Sequence, residues 1–213
     1  MQYRLAKEAF VYLIPLWTLA LLSFLFISES LSIVLFLLSL FVLNFFRMPV
    51  FILVPKPDEI YCPAWGKVTS VLDVPETPEM PAHKKVSIFL NVFDVHAQTN
   101  PCDGVVQTVR YEKGKFLNAM NSLSGDENEK NTLRIQKSGS NDVIDVIQIA
   151  GLIARRILCF VKEKDSLKAG EYFGLIKFGS RVEVRMPKRT EILVQVGERV
   201  YGPKTILGKL TAI

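Results

Sequence analysis

Ser180 stands directly behind Gly179 in the run GLIKFGSRVEVRMP, residues 174–187, and His96 stands in FDVHAQTNP, residues 93–101. A serine hydroxyl is a weak nucleophile until a neighbouring base takes its proton. An imidazole, which titrates near neutral pH, is the side chain best suited to that task. The chain has only one other histidine, His83 in PEMPAHKK. Each residue also has a plainer reading, because Gly-Ser between two strands makes a turn or bulge and a lone histidine is more often structural. Cys62, Cys102 and Cys159 are odd in number, far apart and without a C-x-x-C pair. They indicate neither a zinc site nor a disulfide framework, and read as buried or incidental thiols in a reducing compartment with no metal expected.

The elements that must position Ser180 and His96 are strands. Apolar and polar residues alternate through Leu175–Phe178 and again through Val182–Met186, the period of half-buried strands, with Gly179-Ser180 between them. The same short alternating runs recur from IYCPAWGKVTSVLDV through KKVSIFLNVFDVH, GVVQTVRYEKG, TLRIQKSGSNDVIDVIQIAG and ARRILCFVK to EILVQVGERVYGPKTILGKL. Turn residues separate them, which predicts a mainly β domain with a minor α+β component over residues 49–213. SGDENEKN, residues 124–131, reads as an exposed loop. DEIYCPAWGKVTSV and TEILVQVGERVYGPKTILGKL share a rhythm, and the second is similar to the half-motif of lipoyl and biotinyl carriers. A lipoyl-like barrel-sandwich element follows from this, but no lysine occupies the hairpin position that a carrier would modify.

The front of the chain is different. FVYLIPLWTLALLSFLFI, residues 10–27, and LSIVLFLLSLFVLNFF, residues 31–46, carry no charge, and each approaches the roughly 20 apolar residues that cross a bilayer as a helix. Two such runs in succession argue against a cleaved signal peptide and for a helical hairpin within residues 1–48, spanning or, since the second run is short, re-entrant, with a buried soluble helix pair as the plainer alternative. Arg4 and Lys7 precede it, Arg47 and Lys56 follow it, and only Glu29 lies between the runs, a bias that places both ends in the cytoplasm. RMPVFILVPKPDE, with Pro49, Pro55 and Pro57, leads out of the hairpin. The net charge of +5 has no basic run interleaved with aromatics. Anionic lipid headgroups explain it better than nucleic acid.

Taken together, GEYFGLIKFGSRVEVRMP, CPAWGKV, DVHAQTNPCDGVV, YEKGKFLNA, ENEKN, GLIARRILCFVK and NFFRMP, behind a two-run apolar N-terminus, closely resemble the short bacterial and archaeal type of phosphatidylserine decarboxylase proenzyme. The resemblance covers nearly the whole chain. It implies that Ser180 attacks the carbonyl of Gly179 and that elimination splits the precursor between 179 and 180. The products would be a β chain, 1–179, and an α chain, 180–213, capped by a pyruvoyl group made from Ser180. That ketone would form a Schiff base with the amine of phosphatidylserine in the bilayer, and decarboxylation would yield phosphatidylethanolamine without a metal or added coenzyme. By the same resemblance His96 is the catalytic histidine, and Phe178 and Arg181 flank the cleavage site, with headgroup contact as a role for either and a strand salt bridge as the other role for Arg181. The pair Arg155 and Arg156 also matches, and reads as solvated or structural. Residence at the inner membrane with the catalytic domain on its cytoplasmic side follows, as does pairing of two chains.

Three positions depart from the family pattern. Trp65 in CPAWGKV stands where an aspartate usually orients the histidine, and an indole can neither accept a proton nor hold a tautomer. Gln98 and Thr99 stand where asparagine and arginine are common. Asp58, Glu59, Asp73, Asp94 and Asp103 are the nearby carboxylates able to substitute. The departures leave open an alternative in which the domain does not cleave and binds phospholipid or a partner, and another in which the lipid is a related one such as archaetidylserine.

Overall fold

The computed structural model describes residues 2–77, 80–118, 124–152, 156–177 and 180–211, and the chain divides into two compact units, Met1–Phe51 and Ile52–Ile213. In the first unit, β1 (Gln2–Leu5) pairs antiparallel with β2 (Arg47–Val50) and so closes the base of a hairpin of α1 (Phe10–Phe26) and α2 (Glu29–Phe45). α2 starts two residues earlier than the apolar run suggested. Ser28 caps it, its hydroxyl accepting from the Leu31 amide at 3.5 Å. α1 buries only Leu13 and Ser23, and α2 only Ser39, Val42 and Phe45, while leucines, isoleucines and phenylalanines face outward. That is the reverse of a helix pair in water, where the apolar stripe is covered. Among the described residues one stretch, Lys7–Phe26, is long and apolar enough to cross a membrane; α2 is shorter.

In the second unit the strands are β3 (Glu59–Tyr61), β4 (Gly66–Val74), β5 (His83–Leu90), β6 (Ala97–Thr99) and β7 (Gly104–Glu112). After α3 (Ser124–Glu127) come β8 (Lys130–Lys137), β9 (Val143–Ile149), β10 (Arg156–Cys159), β11 (Ser166–Leu167), β12 (Tyr172–Lys177) and β13 (Ser180–Pro187). The last three are β14 (Thr190–Ile192), β15 (Arg199–Val200) and β16 (Ile206–Leu210). Eight of them form one antiparallel sheet in the order β11-β7-β8-β9-β13-β5-β4-β15. Register shifts at Val68/Ser70 and Val106/Thr108 bend its strands, as bulges do. Two three-stranded sheets, β10-β12-β6 and β14-β16-β3, complete the unit. The core draws Ile88 and Leu90 from β5, Leu133 and Ile135 from β8, Ile144 and Val146 from β9, Val182 and Val184 from β13, and Phe173 and Ile176 from β12.

The mainly β reading of the sequence holds. The two segments of similar rhythm pair with each other at both ends, β3 with β16 and β4 with β15, the reciprocal arrangement expected of a lipoyl-like element. Gly197, at φ +93, turns the chain ahead of β15. The reading of 124–131 as an exposed loop is corrected. Asn128 and Asn131 are buried, and the Asn128 amide bonds to Leu117 N and O and to Ala150 O, each at 2.8 Å. The side chain does the work of a missing ladder, so polar composition misrepresented its burial.

Candidate active site

β13 alternates strictly. Val182, Val184 and Met186 face the core, and Ser180 shares their parity, so its side chain is turned inward at the strand's first residue. Ser180 is fully buried, and its Oγ has no hydrogen-bond partner among the described residues. A buried, unsatisfied hydroxyl costs on the order of 1–3 kcal/mol, and native folds tolerate few of them. Arg181 lies on the opposite face and holds Glu183 at 2.7 Å, with α3 above it; a Cβ at Gly125 would come within 2.3 Å of the guanidinium. Phe178 and Gly179, the other residues of the expected cleavage site, lie outside the described residues, as does Arg155. Arg156 is exposed at the start of β10, opposite Lys177.

His96 is fully buried at the end of a short loop that returns from β5 to β6. The loop is built by its own side chains. Asn91 N donates to Asp94 Oδ2 at 2.9 Å, and Phe93 N to Asn91 Oδ1 at 2.8 Å. Arg199, on β15, holds the other Asp94 carboxylate oxygen. The Asp94 carbonyl then accepts from His96 Nδ1 at 2.9 Å. A carbonyl can only accept, so Nδ1 carries a proton and points at the Asp94 main chain.

Strand pairing brings the two residues to one corner. Ser180 is the register partner of Leu90, the last residue of β5, from which the chain runs directly into the histidine loop. On the other side, Ile176 N donates to the His96 carbonyl at 3.0 Å, four residues ahead of Ser180. The corner is separate from the open grooves of the domain. Two of these, of about 560 and 650 Å³, follow the charged outer face of the large sheet past Arg181, Glu183 and Arg185, and neither Ser180 nor His96 lines them.

The sequence question about Trp65 has a structural answer. Its indole is buried and stacks on Tyr172, ring centroids 6.4 Å apart and planes within 14°. Burial raises the Tyr172 phenol above its ordinary range, so it stays protonated at neutral pH. The Nδ1 contact that an aspartate would make is taken by the Asp94 main-chain carbonyl. The other carboxylates are engaged elsewhere: Glu59 with Tyr61, Lys56 and Lys209, Asp73 with Lys84, and Asp103 with the Ala169 amide. Asp58 lends its main-chain carbonyl to Leu210 N. Cys62 and Cys102 are buried, their thiols pushed up to about 12 by desolvation, and so are inert as nucleophiles.

Three buried amides lie near His96; sequence reasoning noted Gln98 only as a departure from the family pattern and missed the roles of Asn131 and Gln148. Gln98 Nε2 donates to the His96 carbonyl at 2.6 Å, Gln148 Nε2 to Gln98 Oε1 at 2.8 Å, and Asn131 Nδ2 to Gln148 Oε1 at 2.9 Å. The signal was in the periodicity. Asn131 is in phase with Leu133 and Ile135, and Gln148 with Ile144 and Val146, so both are polar residues in core-facing register.

The domain thus brings toward one corner a buried serine whose hydroxyl has no partner among the described residues and a histidine held through its Nδ1 and its carbonyl. Comparison with known proteins is specific. The family model described as phosphatidylserine decarboxylase matches residues 38–208. The phosphatidylserine decarboxylase proenzyme of Burkholderia ambifaria strain MC40-6 is 42% identical over 174 residues, covering 82% of this chain and 81% of the relative. The proenzyme of Burkholderia vietnamiensis strain G4 is 43% identical over 178 residues with the same coverage, and that of Burkholderia pseudomallei strain 1106a is 42% identical over 174 residues, covering 82% and 80%. The chain belongs to the phosphatidylserine decarboxylase family.

Proposed function

We propose that this chain is a self-processing carboxy-lyase that converts phosphatidylserine to phosphatidylethanolamine. The observation that carries the reading is the Ser180 hydroxyl, buried at the first residue of a core strand with no partner among the described residues. In the precursor, His96 Nε2 takes the hydroxyl proton as Oγ adds to the Gly179 carbonyl, and the amide becomes an ester with the freed Ser180 amine. Removal of the Ser180 Cα proton expels the Gly179 carboxylate from Cβ, and hydrolysis releases ammonia. The residue left at position 180 is a pyruvoyl group. A hydroxyl with no partner among the described residues fits that conversion, since its loss leaves none of their hydrogen bonds unmade. Once formed, the group supplies a ketone that condenses with an amine and a sink for the electrons left when carbon dioxide departs.

The fixed tautomer of His96 suits it to accept a proton at Nε2 in maturation and to return one to the substrate carbon in turnover. The main-chain carbonyl of Asp94 replaces a carboxylate as orienting group, so maturation proceeds with Trp65 in place. Phe178, flanking the scissile bond, contacts the headgroup, while Arg181 on the opposite strand face serves the ion pair with Glu183. The outward apolar residues of α1 and α2 hold the hairpin in the inner membrane, where a diacyl substrate resides, with the β domain on the cytoplasmic side.

Intact-mass measurement on the full chain extracted from membranes tests the reading. Two fragments divided between Gly179 and Ser180, the smaller bearing pyruvoyl in place of an N-terminal serine, are expected. A single full-length mass that persists on incubation would overturn it in favour of a non-cleaving lipid-binding domain. Incubation of the matured protein with vesicles of phosphatidylserine or archaetidylserine then identifies the lipid backbone.

A further inference from the structure

We propose that Asn131, Gln148 and Gln98 form a positioning relay that fixes the main chain of His96, and that through it the β8–β9 hairpin sets the geometry of self-cleavage. The proposal rests on the decarboxylase reading for its consequence, while the relay itself is a property of the fold. Hydrogen-bond chemistry gives the chain of amides a single polarity. The His96 carbonyl only accepts, so Gln98 must present its NH₂ there and its oxygen to Gln148. Gln148 must then present NH₂ to Gln98 and oxygen to Asn131. Flipping any one amide sets donor against donor or acceptor against acceptor, so the three are locked together.

The relay spans both sheets around the candidate site. Asn131 and Gln148 are register partners in the large sheet, and Gln98 lies on β6 of the small one. Gln148 is also the register partner of Val182, two residues beyond Ser180, so the relay passes one row of the sheet from the cleavage residue. All three amides are nearly or fully buried. Three such groups would be expensive if left unpaired, and a fully satisfied network instead selects one arrangement. Space is kept for it. A Cβ on Gly174 would sit 2.7 Å from Gln148 Nε2 and 2.6 Å from Leu158 O.

The histidine needs such support because β6 has only three residues. The His96 carbonyl is held on one side by Ile176 N, which rides on the arm that leads to Ser180, and on the other by Gln98. Since Nδ1 is bonded to a carbonyl only two residues away, the ring direction follows the backbone that the relay clamps. These are positioning residues that act through His96.

The test uses the full-length chain in lipid nanodiscs with two readouts. Self-cleavage is timed in the Ser180 background, and ¹⁵N-histidine spectra are recorded in an uncleavable Ser180→Ala background, where only His83 and His96 contribute. The variants are Gln98→Leu, and a triple Gln98→Leu, Gln148→Leu, Asn131→Leu that removes every relay amide together and so leaves no buried orphan among the three. Both are expected to slow cleavage at least 30-fold and to convert the His96 signal from the Nδ1–H tautomer to a mixture. Gln107→Leu, in the exposed amide pair Gln107–Gln136, should change neither readout. Cleavage within twofold of the parent, or slow cleavage with an unaltered His96 spectrum, overturns the relay. Absence of cleavage in the parent would overturn the proposed function alone, because the spectra still decide whether the relay fixes His96.

Discussion

Two corners of the β domain bury polar side chains, and they treat them oppositely. At the first, Glu59 on β3 takes the Tyr61 hydroxyl on one carboxylate oxygen at 2.5 Å and Lys56 and Lys209 on the other at 3.2 and 3.6 Å. Lys209 is its register partner on β16, so the cluster ties the start of the domain to its end. At the second, Ser180 Oγ is as deeply buried and has no partner among the described residues, while neighbouring His96 is held through its Nδ1 and its carbonyl. Satisfied polarity at the Glu59 corner is architecture, because each group there repays its desolvation locally. The Ser180 hydroxyl has no such compensation among the described residues, and under the proposed function that orphaned polarity is what the maturation chemistry uses. Both corners look alike in a burial profile, and only the hydrogen-bond account separates them.

Substitution should split the two corners cleanly. The largest effect is expected for Ser180→Ala, which removes the nucleophile: cleavage, followed by gel or mass, should vanish. Thermal stability should be unchanged or raised by up to about 1 kcal/mol, since an unsatisfied hydroxyl is lost. A large destabilisation would mean that the hydroxyl is structural and the contrast is false. Next is His96→Ala, expected to slow cleavage by roughly 10²–10⁴-fold, the usual worth of a general base. Glu59→Ala should invert the pattern. It leaves the Tyr61 phenol without its acceptor and should cost about 2–3 kcal/mol in denaturant unfolding, while the folded fraction still cleaves at the parent rate. Equal loss of cleavage per folded molecule would show the corners to be coupled.

How much of this was readable beforehand follows from what one strand's period can and cannot report. The alternation on either side of Gly179-Ser180 located β12 and β13, but it left Ser180 in the join between them, whereas the structure makes it the first, core-facing residue of β13. The uncharged runs located α1 and α2 to within a few residues. What escaped was everything that depends on a partner from a distant segment. Asp94 was one of five candidate carboxylates, yet it reaches His96 through its carbonyl, and its carboxylate is committed to Arg199, more than a hundred residues on. Side-chain identity names the acid and says nothing of the main chain beside it. Asn128 and Asn131 were mistaken for loop residues because a polar side chain that satisfies a broken ladder has the composition of a turn.

The smallest effect is the most pointed test of the Glu59 corner, because it is read through protonation alone. The Glu59 carboxyl is held below its ordinary value, first by the Tyr61 hydroxyl and then by Lys56 and Lys209, against an opposing contribution from burial. The Tyr61 phenol is correspondingly raised, by burial and by the carboxylate it donates to. A carboxyl whose folded pKa lies below its unfolded value of 4.5 binds protons less readily when folded. Its stabilisation is therefore complete above that pH and is lost as pH falls through the folded pKa. Tyr61→Phe removes the leading cause and returns the folded pKa toward 4.5, so the acid limb due to Glu59 should become shallower and end at higher pH while the curve near pH 7 drops by about 1 kcal/mol. Cleavage of the folded chain at pH 7 should keep its rate, since the corner carries no chemistry. An acid limb that stays in place would mean that the lysines alone hold the carboxylate, and the cluster would then be a surface ion pair with a buried end instead of a hydrogen-bonded clasp.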